Sequence, residues 1–368
     1  MERATARIDY DAVSANCARL KAELGEAELC AVVKADGYGH GADACANAAL
    51  DGGATRLAVA TAGEAEEIGR RFQHVPLLTM GALTAEEVDA VISAGSELAL
   101  WREDFRLLAA DRARAHGHPA RVHVKFDSGM GRLGTRDADE VLELVRACAA
   151  DPDLELAGFW THFATADELD SDYFDEQLER FEMLAATVKE HHPGVLVHAA
   201  NSAAVLRDRR SHFEMARCGV AIYGLDPFQR DPAEQGLKPA LTLRSHVADV
   251  KRFPAGASAG YGRKWKAPVD TWVGVIPVGY GDGVRRALTN NADVLVGGRR
   301  YPLVGTVSMD NITVDLGSET EVRPGEEAVL IGRQGEEQIL AEEMAARLET
   351  INYEVTCAIS ARVPRRPA

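Results

Sequence analysis

The sequence has no pair of cysteines at close spacing. Cys17, Cys30, Cys45, Cys148, Cys218 and Cys357 are scattered, so neither a disulfide framework nor a zinc site is expected, and no metal ligand is among the candidates. A reducing cytosol suits such thiols. Basic residues are not in excess: 41 Lys and Arg stand against 57 Asp and Glu, a formal net charge of −16. That balance argues against duplex nucleic acid or an anionic membrane surface as the main partner, because both attract basic proteins. A small anion held by local basic groups stays open. Apolar runs are short. None approaches the roughly 18 residues of a membrane span, and MERATARIDYDAV lacks the apolar core of a signal peptide. A soluble, cytoplasmic protein is expected. There is no low-complexity segment, and no repeat beyond a strand–helix alternation.

That alternation dominates the first part of the chain. The 368 residues, 46% of them hydrophobic, suffice for one large domain and a smaller one, each with its own core. Strand-type runs recur at 30–33, 56–61, 75–81, 97–101, 121–127, 156–164, 195–201 and 214–224, eight in all. Segments of helical period lie between them, such as AEEVDAVISAG, DADEVLELVRACAA and YFDEQLERFEMLAATVKEHH. The pattern predicts an α/β protein whose residues 1–237 form a (β/α)8 TIM-type barrel, with its chemistry at the carboxyl ends of the strands; an open doubly wound sheet is the competing arrangement. From about Pro239 the runs become short and closely spaced: LTLRSHVADVKRF, TWVGVIPVGY, ADVLVGG, YPLVGTVSM, NITVDL, EEAVLIG and YEVTCAIS. Only AEEMAARLET reads as a helix there, so residues 238–368 are expected to form a mainly β domain.

One lysine stands out. In LCAVVKADGYGHGA, residues 29–42, an apolar run ends in Lys34 and passes at once into a glycine-rich turn. A lysine ammonium has an ordinary pKa of about 10.4 and is a poor nucleophile, but a desolvated lysine forms Schiff bases with carbonyl groups. Taken alone, a lysine at a strand end snorkels to solvent. In a barrel, however, Lys34, Arg132, His162, Asn201, Ser202 and Arg217 all fall at strand ends on one face. Arg217 sits in an otherwise apolar strand, and a buried guanidinium must find acceptors, in a structural ion pair or in a ligand. Gly219 and Val220 offer backbone N–H groups to a phosphate, and Ser202 adds a hydroxyl at a helix start. In KFDSGMGRLG, glycines frame Arg132. The later segments GASAGYGRKW, VGYGDG and TVSMDN hold Tyr261, Tyr280, Met309 and Asp310. Each of these alone reads as a turn or packing residue.

Together the motifs carry a resemblance. AVVKADGYGHG, DSGMGRLG, THFATAD, the NS pair at 201–202, RCGVAIYG, AGYGR, GYGDG, SMDN and INYEVTCAISARVPR occur in the order found in alanine racemases. The chain resembles that family of fold-type III pyridoxal-phosphate enzymes over essentially its whole length. The resemblance implies interconversion of L- and D-alanine, supplying D-alanine for peptidoglycan. Lys34 would carry pyridoxal 5'-phosphate covalently and act as one base, with Tyr261 of the partner subunit as the other. Tyr38, Ser202, Gly219, Val220 and Tyr353, with Asn201 beside them, would hold the phosphate. Arg217 would face the pyridine nitrogen and His162 the ring. Arg132 and Met309, with Asp310 next to it, match substrate contacts, and Tyr280 matches a residue of the substrate gate. Lys125 matches a lysine that is carbamylated in many members. A head-to-tail homodimer with composite sites is implied. Gly37 replaces the usual alanine before Tyr38, Ala259-Gly260 precedes Tyr261 where serine is frequent, and Ser308 stands where cysteine often precedes the methionine. A broader racemase acting on serine or basic amino acids, a fold-type III decarboxylase and a non-catalytic cofactor-binding barrel are the alternatives.

Overall fold

The computed structural model describes residues 2–368. After a first strand, β1 (Thr5–Ile8), eight parallel strands close into a barrel: β2 (Glu28–Val32), β3 (Arg56–Val59), β4 (Leu77–Thr79), β5 (Glu97–Leu100), β6 (Ala120–Lys125), β7 (Leu154–Trp160), β8 (Leu196–His198) and β9 (Met215–Cys218). Closure comes from β9 pairing with β2, Arg217 lying opposite Cys30, which excludes the open doubly wound sheet. Strands such as β4 and β5 are buried throughout, as parallel strands covered by helices must be.

Each connection is built from local signals. The helices Ala62–Arg71 and Ala85–Ser93 open with capping boxes at Thr61/Glu64 and Thr84/Glu87. Asp137 caps the helix Ala138–Ala150, and Gly117, with φ 76°, ends the helix Glu103–His116. The acidic stretch 167–176 is a largely exposed loop leading into the helix Tyr173–His191.

The chain forms two compact units. One comprises Val13–Gly37 and Ala42–Ile222 and contains the barrel; the other gathers the segment ending at Ala12, Tyr38–Gly41 and Tyr223–Ala368. The second unit is mainly β, with strands β10 (Leu241–His246), β11 (Asp249–Phe253), β12 (Ser258–Ala259), β13 (Trp265–Lys266), β14 (Thr271–Ile276), β15 (Asp293–Val296), β16 (Arg299–Pro302), β17 (Ile312–Gly317), β18 (Glu327–Gln334), β19 (Glu337–Ile339) and β20 (Arg365–Pro367). Its main sheet runs β16-β15-β18-β10-β1-β20, with β19 on β18, and a second sheet runs β11-β14-β17. The amino-terminal strand β1 therefore belongs to this sheet, antiparallel to β10 and parallel to β20.

One expectation needs correction. The run YEVTCAIS is not a strand: Asn352–Cys357 is a helix. Its buried residues Asn352, Val355 and Thr356 follow helical spacing, and the Asn352 side chain bonds to the Asp226 carbonyl and Glu342, so tertiary anchoring overrides the β-branched composition. Among the described residues, no helix is long and apolar enough to cross a membrane.

Candidate active site

Immediately after β2 the backbone turns left-handed. Ala35, Asp36 and Gly37 have φ/ψ of 53°/49°, 52°/49° and 60°/45°, and Tyr38 has φ 53°. Left-handed helical geometry costs L-residues roughly 1–2 kcal/mol each, so glycine at 37 relieves part of the strain and the rest needs anchors. Glu64 is one. Its Oε1 accepts the Ala35 N–H at 2.7 Å, while Oε2 accepts from Ala60 and Thr61 at 2.8 and 3.1 Å. Asp36 Oδ1 takes the Ala42 N–H at 3.0 Å, tying the turn to the next helix. Strain of this sort concentrates at functional sites, and here it sets Lys34 at the carboxyl end of the barrel.

Arg217, on β9, is buried. Its Nη1 donates to His198 Nδ1 at 2.7 Å, and its Nη2 donates to the carbonyls of Thr161 and Ala199 at 2.8 and 3.0 Å. His162 Nδ1 lies 3.2 Å from the same Nη2. Among the described residues no carboxylate pairs with Arg217, so the structural ion pair is ruled out. Burial pushes its pKa down to about 10, which still leaves it cationic at neutral pH. Among the described residues, Nε–H and one Nη1–H have no acceptor in the hydrogen bonds that Arg217 makes.

Lys125, at the end of β6, is buried with its Nζ 4.0 Å from the Trp160 ring centroid. Burial, followed by the charges of Arg217 and Arg132, pushes its pKa from 10.5 down to about 7. Burial and then the charges of Arg217, Lys125, Arg132 and Lys34 hold His162 well below the ordinary histidine value. Four basic groups, Lys125 only partly charged at neutral pH, thus act on one imidazole held neutral. Arg132 is exposed, on a loop organised by Asp127, which accepts the N–H groups of Gly129 and Gly131 at 3.1 and 3.0 Å and pairs with Arg136 at 2.9 Å. The loop is ordered by these bonds rather than being a loose connection.

Asn201 caps the short helix Ser202–Arg207 by accepting the Ala204 N–H, and buried Ser202 Oγ accepts the N–H groups of Gly219 and Ala221 at 3.1 and 3.3 Å. Gly219 and Val220 follow β9 and are buried beside it.

The second unit holds the remaining candidates. Tyr261 is 72% exposed, Met309 50% and Tyr280 43%. The Tyr261 carbonyl accepts Thr306 Oγ1–H at 2.6 Å, and the Tyr280 and Met309 loops are joined by N–H bonds from Tyr280 to Ser308 O and from Gly281 to Met309 O. Asp310 pairs with Arg362 at 2.6 Å, and buried Asp282 takes Arg3 and the Gly279 N–H. The Tyr38 ring lies 5.2 Å from Tyr223 and 6.0 Å from Tyr353, centroid to centroid. Tyr353 rides on the helix that Asn352 anchors: Asn352 Nδ2 donates to Asp226 O and Glu342 Oε1 at 2.8 and 2.7 Å.

A parallel barrel that gathers four basic groups at the carboxyl ends of its strands is an enzyme framework for small anionic ligands. Comparison with known proteins narrows this. The sequence profile of the alanine racemase N-terminal domain matches residues 8–227, and that of the C-terminal domain matches residues 240–367. Alanine racemase 1 of Bacillus subtilis is 42% identical over 98% of this chain and 92% of its own length. The alanine racemase of Geobacillus stearothermophilus is 40% identical over 98% and 92%. The crystal structure of alanine racemase from D-cycloserine-producing Streptomyces lavendulae superposes with a TM-score of 0.94 at 34% identity, covering 100% of this chain and 97% of that one. The Bacillus anthracis alanine racemase with bound L-Ala-P gives 0.91 at 36% identity, covering 100% and 95%. The chain belongs to the alanine racemase family, isomerases that depend on pyridoxal phosphate.

Proposed function

We propose that the chain interconverts L-alanine and D-alanine with pyridoxal phosphate held on Lys34, as a cytoplasmic homodimer supplying D-alanine for peptidoglycan. The observation that carries the reading is the convergence of Lys34, Lys125, Arg132 and Arg217 around His162. The residues fit the cofactor. An anion is needed to balance the cations, Arg217 keeps spare N–H donors for a ring nitrogen, and the Ser202 hydroxyl and Val220 suit a phosphate, with Tyr38 and Tyr353 supplying phenols; the Gly219 N–H is donated to Ser202 Oγ and would meet a phosphate only by exchanging that bond. We take residues 1–237 as the barrel domain and 238–368 as the β domain, although the segment ending at Ala12, Tyr38–Gly41 and residues 223–237 gather with the β unit.

When bound, pyridoxal phosphate makes the α-proton of an attached amino acid acidic by delocalising the carbanion. Racemisation then needs one base on each face. Lys34 Nζ takes or returns the proton on one face, and Tyr261 Oη of the partner subunit does so on the other. General-base transfer by a positioned group contributes about 10²- to 10⁴-fold. A phenol has a reference pKa of about 10, so Tyr261 needs a cation nearby, and Arg132 is the group proposed. Arg132 and Met309 of the partner subunit also hold the substrate carboxylate, with Asp310 fixing the Met309 loop and Tyr280 lining the gate. His162, kept neutral, would lie beside the ring. Arg217, still protonated, would donate to the ring nitrogen, since a guanidinium can only donate. Lys125, neutral in part at physiological pH, would add carbon dioxide and release its proton to solvent, forming a carbamate able to orient Arg132.

The dimer is supported by exposure. Tyr261, Met309 and Tyr280 present large apolar surface to solvent on a single chain, as residues that complete a partner's site do. Borohydride reduction of the cofactor-loaded protein, followed by peptide mapping, tests the anchor. A pyridoxyl label on Lys34 is expected, and a label on another lysine or none at all would refute the assignment.

A further inference from the structure

Behind Arg217 runs a line of buried polar side chains that the racemase reading does not use. Arg217 Nη1 is 2.7 Å from His198 Nδ1, His198 Nε2 is 2.9 Å from His123 Nδ1, and His123 Nε2 is 2.7 Å from Glu97 Oε2. We propose that Glu97, His123 and His198 form a one-way hydrogen-bond relay that fixes the orientation of Arg217, making Glu97 and His123 positioning residues for the reaction. The proposal rests on the reading that Arg217 faces the cofactor ring.

The direction of the relay is forced at both ends. A guanidinium only donates, so His198 Nδ1 must be bare. Burial and the Arg217 charge keep His198 neutral, which puts its single proton on Nε2. That proton is donated to His123 Nδ1, so the proton of His123 sits on Nε2 and is donated to Glu97. Glu97 can only accept: against the effect of burial, the hydrogen bonds from His123 and Arg121 and the charge of Arg56 hold its carboxyl below the usual carboxylate range. Arg121 Nε and Arg56 Nη1 occupy its other oxygen at 2.8 and 3.2 Å. No ring in the line has a choice of tautomer.

The backbone makes room for this arrangement. A Cβ at residue 158 would lie 2.0 Å from His123 Nδ1, the atom that accepts from His198. Gly158 faces His123 where the β6–β7 register shifts. Replacing a buried ionic line by apolar side chains is often neutral or stabilising, so stability does not account for it. Its effect on Arg217 is specific: with Nη1 tied to His198 and Nη2 to two carbonyls, the group cannot rotate, and Nε–H and the second Nη1–H stay aimed where they are.

The test needs no substitution to begin. Nitrogen-15 spectra of histidine-labelled, cofactor-loaded protein should show His123 and His198 both neutral with the proton on Nε2. Either ring protonated on Nδ1 would overturn the relay. Glu97→Gln should then keep bound cofactor but shift its absorption band and lower kcat, with KM little changed, by roughly 10- to 100-fold, the range that outer carboxylate–histidine partners carry in metal sites. Glu97→Asp should recover part of the loss, and Gly158→Ala should reproduce the band shift. An unchanged band and kcat in Glu97→Gln would also overturn the proposal. Failure of the cofactor reading is distinct, because it removes the pyridoxyl label from Lys34 in the unsubstituted protein.

Discussion

Removing the amine of Lys125 should stabilise the protein. The side chain is 2% exposed, has an aromatic ring as its neighbour at 4.0 Å, and has no carboxylate paired with it among the described residues. Its pKa falls from 10.5 to about 7 on folding, with burial as the first cause. At about 1.36 kcal/mol per pKa unit, that fall is a penalty of roughly 4–5 kcal/mol. The sign follows from proton counts. Between the two values the unfolded chain binds a proton that the folded chain lacks, so this contribution to stability rises with pH. At and below the folded value the full penalty is present. Lys125→Met keeps the length of the stem, and part of the gain is lost to imperfect repacking, so an increase of ~2–4 kcal/mol at neutral pH is expected. The difference between the two proteins is the quantity to follow. Cys17, Cys30 and Cys148, pushed up to about 12 by burial, titrate in the opposite sense but cancel in it. Urea unfolding at fixed protein concentration in CO2-free buffer gives the number. The gap should be at its full size below neutral pH and close as pH rises towards the pKa of a free lysine, and bicarbonate should narrow it by allowing a carbamate. A Lys125→Met protein less stable than its parent, or a gap flat with pH, would refute the reasoning.

Three further predictions concern the composite site and its support. Tyr261→Phe should keep cofactor and lose α-proton exchange mainly in one substrate direction. Mixing inactive Lys34→Ala and Tyr261→Phe dimers should restore ~25% of activity once subunits exchange, because a mixed two-fold dimer regains one intact site; no recovery after verified exchange would rule out shared sites. Asn352→Ala leaves Glu342, the Asp226 carbonyl and Gln229 Nε2 short of partners and should cost roughly 1–3 kcal/mol of stability. It should also weaken cofactor retention through Tyr353, and unfolding and dialysis curves matching the parent would contradict the role given to this asparagine.

The barrel was legible because each of its eight strands is a compact apolar run and each helix has its own period, so local signals and tertiary structure agree. The first strand was not. Thr5–Ile8 pairs with residues more than two hundred positions away, and nothing in ARID points to that partner. The helix Asn352–Cys357 was missed for a related reason: its buried face is set by Asn352, whose partners are remote. Lys34 and Arg217 could be singled out as charges ending or interrupting apolar strands. Glu97 and His198 could not, since a polar residue at a strand margin looks solvated until the barrel closes over it. His123 carried a usable signal, being two residues before Lys125 and therefore on the same face of β6. The Thr61/Glu64 capping box has a sequence signature, but the reach of Glu64 to the Ala35 amide and the hold of Asp127 on the Gly129 and Gly131 amides have none.

The measurement that tests the account most directly is chiral chromatography of L-alanine, beside other L-amino acids, incubated with cofactor-loaded protein in D2O. The account predicts D-alanine carrying deuterium at the α-carbon, formed faster than any other product. Faster conversion of another amino acid, or no α-exchange with cofactor bound, would contradict it.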